Sequence, residues 1–204
     1  MGRVSDAKER LMKAVTELVW CGSYGSTTID QICDKAGVKK GSFYYFFKSK
    51  SELAFKAIEE SWKGHRIELD AIFSPTVPPL ERLRKYCEYM YRIQVELQAE
   101  YGSVLGCPLF SIGSEVSTQE KLLQKKIQDI LELKRKYLES AIRDAYAAGL
   151  ITAPNAAAKS KILFAYYQGL LTEARIQNRV DVLKDACAGT YDLLGVKSPD
   201  TVTA

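Results

Sequence analysis

Residues 27–50 read TTIDQICDKAGVKKGSFYYFFKSK. The stretch opens with Thr27 and Thr28, either a good N-cap for a short helix through Ile29, Ile32, Cys33 and Ala36. Gly37 stops that helix. Val38-Lys39-Lys40-Gly41-Ser42 makes a tight connection to a very short aromatic helix, Phe43 to Phe47. Two short helices around a glycine turn have helix-turn-helix spacing, in which the second helix enters the DNA major groove. Residues 35–50 carry five lysines and no acid. Thr27 and Thr28 sit where hydroxyls and free backbone N–H groups hold a phosphate. Gly41 removes a side chain where backbone would approach DNA. Tyr44 and Tyr45 pair an apolar body with a hydroxyl that reaches a phosphate or base edge. Phe43, with Phe46 or Phe47, forms the inward face.

The charge balance supports a basic head. The 204 residues hold 29 Lys and Arg against 25 Asp and Glu, a surplus of +4. Residues 1–50 carry nine bases and five acids, and residues 51–204 carry 20 of each. The surplus therefore lies in the first quarter, which excludes a uniformly basic coat. A composition 47% hydrophobic and 26% charged is ordinary for a globular chain and excludes a wholly disordered one. No apolar run approaches the ~20 residues of a membrane span, and the polar N-terminus has no signal-peptide core. The expectation is a soluble, cytoplasmic protein with no membrane partner. Cys21, Cys33, Cys87, Cys107 and Cys187 include no CxxC pair, so five reduced, mostly buried thiols and no metal are expected.

Outward from the quoted stretch, nearly every segment has helical periodicity. Ser5 and Asp6 open a first helix to about Cys21, with Leu11, Ala14, Val15, Leu18 and Val19 on one stripe. Ser49 caps a fourth helix over about 50–72, with Leu53, Ala57, Ile58, Ile67 and Ile72 apolar. Ser74 to Pro79 is a rigid break. A fifth helix over about 80–100 carries Leu83, Tyr86, Cys87, Met90, Ile93 and Leu97. Pro108 starts a short sixth, and Ser117 to Glu120 is a capping box for a seventh reaching about Ala148. An eighth helix, from Pro154-Asn155 to about Arg179, is apolar nearly all round between Ile162 and Ala174. A ninth covers about 181–194. The expected fold is all-α, about nine helices, with a three-helix head over 1–48 and a body over 49–204.

The span from about Lys8 to Ile58 resembles the DNA-binding domain of the TetR/AcrR family of bacterial regulators. The matching features are Trp20, Gly22 to Tyr24, Thr27-Thr28-Ile29, Ala36-Gly37-Val38, Lys40 to Tyr44 and Lys48-Ser49-Lys50-Ser51-Glu52-Leu53. The resemblance implies that Thr28 and Lys50 clamp phosphates. It places Lys39, Lys40, Gly41, Ser42 and Tyr44 toward the major groove, and Tyr45 toward the backbone. The position after Tyr45, often His or Tyr in that family, is Phe46 here.

A single head binds one half-site weakly, so the body is expected to form a homodimer. Helices eight and nine are the candidates, because helix eight has too much apolar surface for one neighbour; two from each subunit make a four-helix bundle. The body also holds candidate small-molecule effector residues: Trp62, His65, Tyr86, Tyr89, Met90, Cys107, Phe110, Tyr137, Tyr166 and Gln168. Cys107 precedes a proline-started helix, where the helix dipole activates a thiol. Gly106 to Val116 is similar to the NemR-like, electrophile-sensing subgroup of the family. A single histidine and the lack of a phosphate loop, GxSxG or HExxH argue against an enzyme. No cofactor is implied. The leading expectation is a repressor that binds a palindromic double-stranded operator as a homodimer and is released by an effector. The alternatives are an effector-independent architectural DNA binder and an enzyme on an all-helical fold.

Overall fold

The computed structural model describes residues 2–116 and 120–197. Among them run nine α-helices: α1 (Gly2–Cys21), α2 (Ile29–Ala36), α3 (Lys40–Phe46), α4 (Lys50–Ile72), α5 (Pro79–Tyr101), α6 (Pro108–Val116), α7 (Lys121–Ala147), α8 (Ala156–Gln177) and α9 (Ala186–Leu194). A short 3₁₀ turn spans Val180–Leu183. Extended pairing among the described residues amounts to one isolated antiparallel bridge, Ile151 with Val196. The all-α expectation holds. No described helix is long and apolar enough to cross a membrane.

The chain divides into two compact units, the described parts of Met1–Arg66 with Pro108–Leu131, and of Ile67–Cys107 with Glu132–Ala204. In the first unit, α1 buries Leu11, Ala14, Val15 and Val19, the stripe expected except for half-buried Leu18. Ile32, Cys33, Phe43, Phe47 and Leu53 are also buried. In the second unit, Leu83, Tyr86, Cys87 and Met90 bury one face of α5, and Leu163, Tyr167, Leu171 and Ala174 bury one face of α8. Arg82, only 3% exposed, cross-braces this unit. It donates to the carbonyls of Pro75 and Val77 and to the Asp144 carboxylate at 3.0, 2.6 and 2.6 Å.

Several local expectations change. The first helix continues through Ser5 and Asp6 to Gly2, so neither residue is its cap. Ile67 is 73% exposed, because Leu69 and Phe73, four residues apart, turn α4 the other way. The eighth helix ends at Gln177, where Asn178 adopts a left-handed cap (φ 51°). The ninth is split: 3₁₀ backbone precedes α9, which starts at Ala186. Two of the five thiols are buried, Cys33 and Cys87; Cys107 and Cys187 are half-buried and Cys21 is exposed. Cys21 ends its helix and so sits outside the packed stripe. The capping-box residues 117–119 lie outside the described residues.

Candidate nucleic-acid interface

Thr28, not Thr27, caps α2. Its hydroxyl accepts from the Gln31 N–H at 3.2 Å, and the Gln31 side chain accepts from the Thr28 N–H at 2.8 Å. Thr27 is 5% exposed and its hydroxyl donates to the Ser23 carbonyl at 2.7 Å. Its hydroxyl proton is thus committed inside the protein. Gly37 closes α2 at φ 61°, a left-handed angle that favours glycine. Arg10 of α1 donates to the Ala36 carbonyl beside it at 2.8 Å. The turn between α2 and α3 is therefore tied to the first helix.

α3 is seven residues long and anchored by one fully buried ring, Phe43; Phe47 follows it, also buried, and Phe46 lies half-buried between them. This leaves the rest of the helix outward. Tyr44 is 54% exposed and Tyr45 is 76% exposed. Lys39, Lys40 and Gly41 are exposed, and Ser42 is half-exposed. A side chain at Gly41 would meet no protein atom within 4 Å. Lys40 forms an ion pair with Asp30 at 2.7 Å, and that hydrogen bond raises its pKa. The pair joins the two helices of the motif and holds the lysine at the surface.

Lys50 has a use that the sequence did not disclose. Its ammonium donates to the carbonyls of Tyr24 and Thr27 at 2.7 and 2.8 Å. It also lies 4.3 Å from the Tyr24 ring centre. Burial lowers its pKa, opposed by Glu120 and Glu115. Lys50 thereby staples the connection leading into α2. A phosphate clamp and this staple compete for the same ammonium. Burial and the Glu120 charge push the Tyr24 phenol up to about 12. Glu115, near the end of α6, holds the same connection: one carboxylate oxygen accepts from the Ser23 hydroxyl and the Gly25 N–H, both at 2.8 Å. Ser23 and Glu115 lie 92 residues apart, so only the fold brings them together.

The expected effector residues fall in both units. Trp62, His65 and Phe110 belong to the first, Phe110 exposed and the other two half-buried. In the second, Tyr86, Met90 and Gln168 are buried, and Tyr89, Cys107, Tyr137 and Tyr166 are half-buried. Tyr86 stacks on Tyr89 at 6.3 Å between centroids, and Phe73 lies 5.5 Å from Tyr86 and 5.3 Å from Tyr137. The Gln168 side-chain oxygen is buried without a hydrogen-bond partner. Among the described residues no group of three or more His, Cys, Asp or Glu could hold a metal ion.

Residues 11–57 match the family described as bacterial regulatory proteins, tetR family, and residues 79–190 match the tetracyclin repressor-like C-terminal domain. An HTH-type transcriptional regulator in the lacX 3' region of Lactococcus lactis is 27% identical over 93% of this chain and 91% of its own length. The HTH-type transcriptional repressor NemR of Escherichia coli is 20% identical over 93% and 94%. The crystal structure of a regulatory protein TetR from Rhodobacter sphaeroides superposes with a TM-score of 0.80 at 25% identity, covering 92% of this chain and 98% of that one. These relatives are regulators, not enzymes. With both domain matches in chain order and a helix-turn-helix presenting α3 outward, this chain belongs to the TetR family of DNA-binding transcriptional regulators.

Proposed function

We propose that the protein is a repressor that binds a palindromic operator as a homodimer and lets go when a small-molecule effector fills the second unit. Residues 1–48 act as the DNA-binding domain and 49–204 as the ligand-binding and dimerisation domain. The observation that carries the DNA reading is α3, which leaves Tyr44 and Tyr45 largely in water beside Lys39 and Lys40. Large exposed aromatics on a basic helix suit a groove and its flanking phosphates. Thr28, Lys39, Lys40, Gly41, Ser42, Tyr44 and Tyr45 make the contacts; Thr27 and Lys50 hold the platform beneath them.

Dimerisation is supported by the outward row of α8. Ile162, Ala165, Gly169, Thr172 and Ile176 recur at helical spacing, all exposed, with Ile162 and Ile176 at 49% and 79%. With α9 this row would form half of a four-helix bundle. The effector reading is supported by the aromatic cluster around Tyr86 and by the unpartnered oxygen of Gln168, a polar handle in an apolar setting. An electrophile acting at Cys107, which immediately precedes α6, is the second form of this reading.

Selection of binding sites from random duplex DNA, followed by footprinting, tests the DNA reading. One short two-fold symmetric site supports it, whereas broad coating of unrelated sequences indicates an architectural binder. Operator release by N-ethylmaleimide, compared in the wild type and Cys107→Ser, separates the two effector forms. Equal release in both would remove Cys107 from the mechanism.

A further inference from the structure

Two thiols in the second unit meet across a helix–helix contact. Cys87 lies on the buried face of α5 and Cys187 on the first turn of α9, 100 residues later in the chain. The Cys187 thiol lies close enough to act on the Cys87 thiol. The register of α9 agrees: Thr190, one turn after Cys187 on the same face, places its hydroxyl 3.8 Å from the Cys87 sulfur. Tyr167 of α8 approaches that sulfur to 3.6 Å.

The hydroxyls around Cys87 fix its proton. Thr190 donates to the Ala186 carbonyl of its own helix at 2.6 Å. It therefore accepts from Tyr167 at 2.8 Å, and the Tyr167 oxygen is left to accept from the Cys87 thiol. Burial pushes the Cys87 thiol up to about 11, so it is a poor first nucleophile. Cys187 is half-buried and is the more accessible thiol of the pair.

We propose that Cys87 and Cys187 are a dithiol modification site, which small hydroperoxides oxidise to one intramolecular disulfide joining α5 to α9. The Cys187 thiolate attacks one peroxide oxygen. The O–O bond breaks, an S–O bond forms, and the sulfur is oxidised by two electrons to a sulfenic acid; the other peroxide oxygen takes up the proton that the Cys187 thiol released and leaves as an alcohol, or as water from hydrogen peroxide. The Cys87 sulfur then attacks the Cys187 sulfur, forming S–S and breaking S–O. The Cys87 proton leaves with the departing hydroxide as water. The balance is two thiols and one hydroperoxide giving one disulfide, one alcohol and one water, or two waters from hydrogen peroxide. The site is independent of the effector reading and needs no DNA for its assay.

The experiment treats the reduced full-length protein with hydrogen peroxide, blocks remaining thiols with iodoacetamide, and maps the digest by mass spectrometry. The expected product is the Cys87 peptide linked to the Cys187 peptide, lighter by two hydrogens and restored by dithiothreitol. Cys107→Ser retains the link and Cys187→Ser loses it. A cross-link closing so long a loop raises the melting temperature of oxidised wild type by roughly 5 °C or more, and Cys187→Ser shows no such rise. Sulfinic acid on Cys187 with Cys87 unmodified would overturn the proposal. So would a disulfide that pairs Cys107 or Cys21 instead, or one formed only between chains.

Discussion

The two units use aromatic rings for opposite purposes. In the first, α3 spends one ring on anchorage and turns two outward: Phe43 is fully buried, while Tyr44 and Tyr45 are 54% and 76% exposed. In the second, rings collect inward: Tyr86 lies 5.4 Å from Tyr167 and 5.5 Å from Phe73 between centroids. The difference is one of leverage. A seven-residue helix has room for one packed face. The long α5 and α8, at 23 and 22 residues, repeat their buried positions over several turns. Tyr44 and Tyr45 of the short helix keep only edge contacts with their chain neighbours Phe43 and Phe46, whereas the rings of the long helices are packed from several sides.

The largest expected effect is at Tyr167. Replacement by Ala deletes a fully buried ring and its hydroxyl contacts to Cys87 and Thr190. About 3–5 kcal/mol of stability should be lost, read as a lower denaturant midpoint. A loss comparable to that of a surface variant would break the contrast from the packing side.

Lys50→Met comes next. It removes two charge-assisted hydrogen bonds and leaves the Tyr24 and Thr27 carbonyls without that donor, costing about 2 kcal/mol. Chemical denaturation measures the loss. DNA affinity should fall with it, because α2 loses its firm start. A variant of wild-type stability whose binding lost salt dependence would return Lys50 to the phosphate role.

Tyr45→Ala should do the reverse of Tyr167→Ala. Stability should change by less than about 0.5 kcal/mol, while operator binding weakens by about 1–2 kcal/mol. Lys39→Ala should weaken binding to all sequences alike and lower the salt slope by about one. Titration at several salt concentrations distinguishes these two. Unchanged affinity in Tyr45→Ala would leave its exposure unexplained.

The smallest effect concerns pH. Hydrogen bonds from Lys126 and Lys56 hold the Glu59 carboxyl below its ordinary value. A carboxyl whose folded pKa is depressed stabilises the protein above its unfolded value and loses that contribution as pH falls through the folded one. Acidification from about pH 5 toward pH 3 should therefore remove about 0.5 kcal/mol at this site. Glu59→Gln should flatten that part of the stability profile, which differential scanning across pH would register.

Much of what is local is legible in the sequence, although the opening of α1 and the split before α9 are not. Gly37 as the stop of α2 and the helical spacing of Leu11 to Val19 are readable within a few residues, whereas the choice between Thr27 and Thr28 as cap rests on the Gln31 contacts. Lysine function was less legible, since the same ammonium serves a phosphate or a carbonyl and spacing does not choose. Lys50 reaches back 26 residues to Tyr24, and the pairing of Lys40 with Asp30 depends on the angle between two helices. Cys87 and Cys187 show no short motif at all. Ile67 departs from its expectation because the inward stripe of α4 runs through Ala54, Ile58, Trp62, His65 and Leu69, and position 67 falls on the opposite face.

One Glu115 carboxylate oxygen receives both hydrogens from the connection before α2, each at 2.8 Å. Because one oxygen serves both donors, losing the Glu115 carboxylate releases the Ser23 hydroxyl and the Gly25 N–H together, and the connection before α2 is tied to α6 through a single atom.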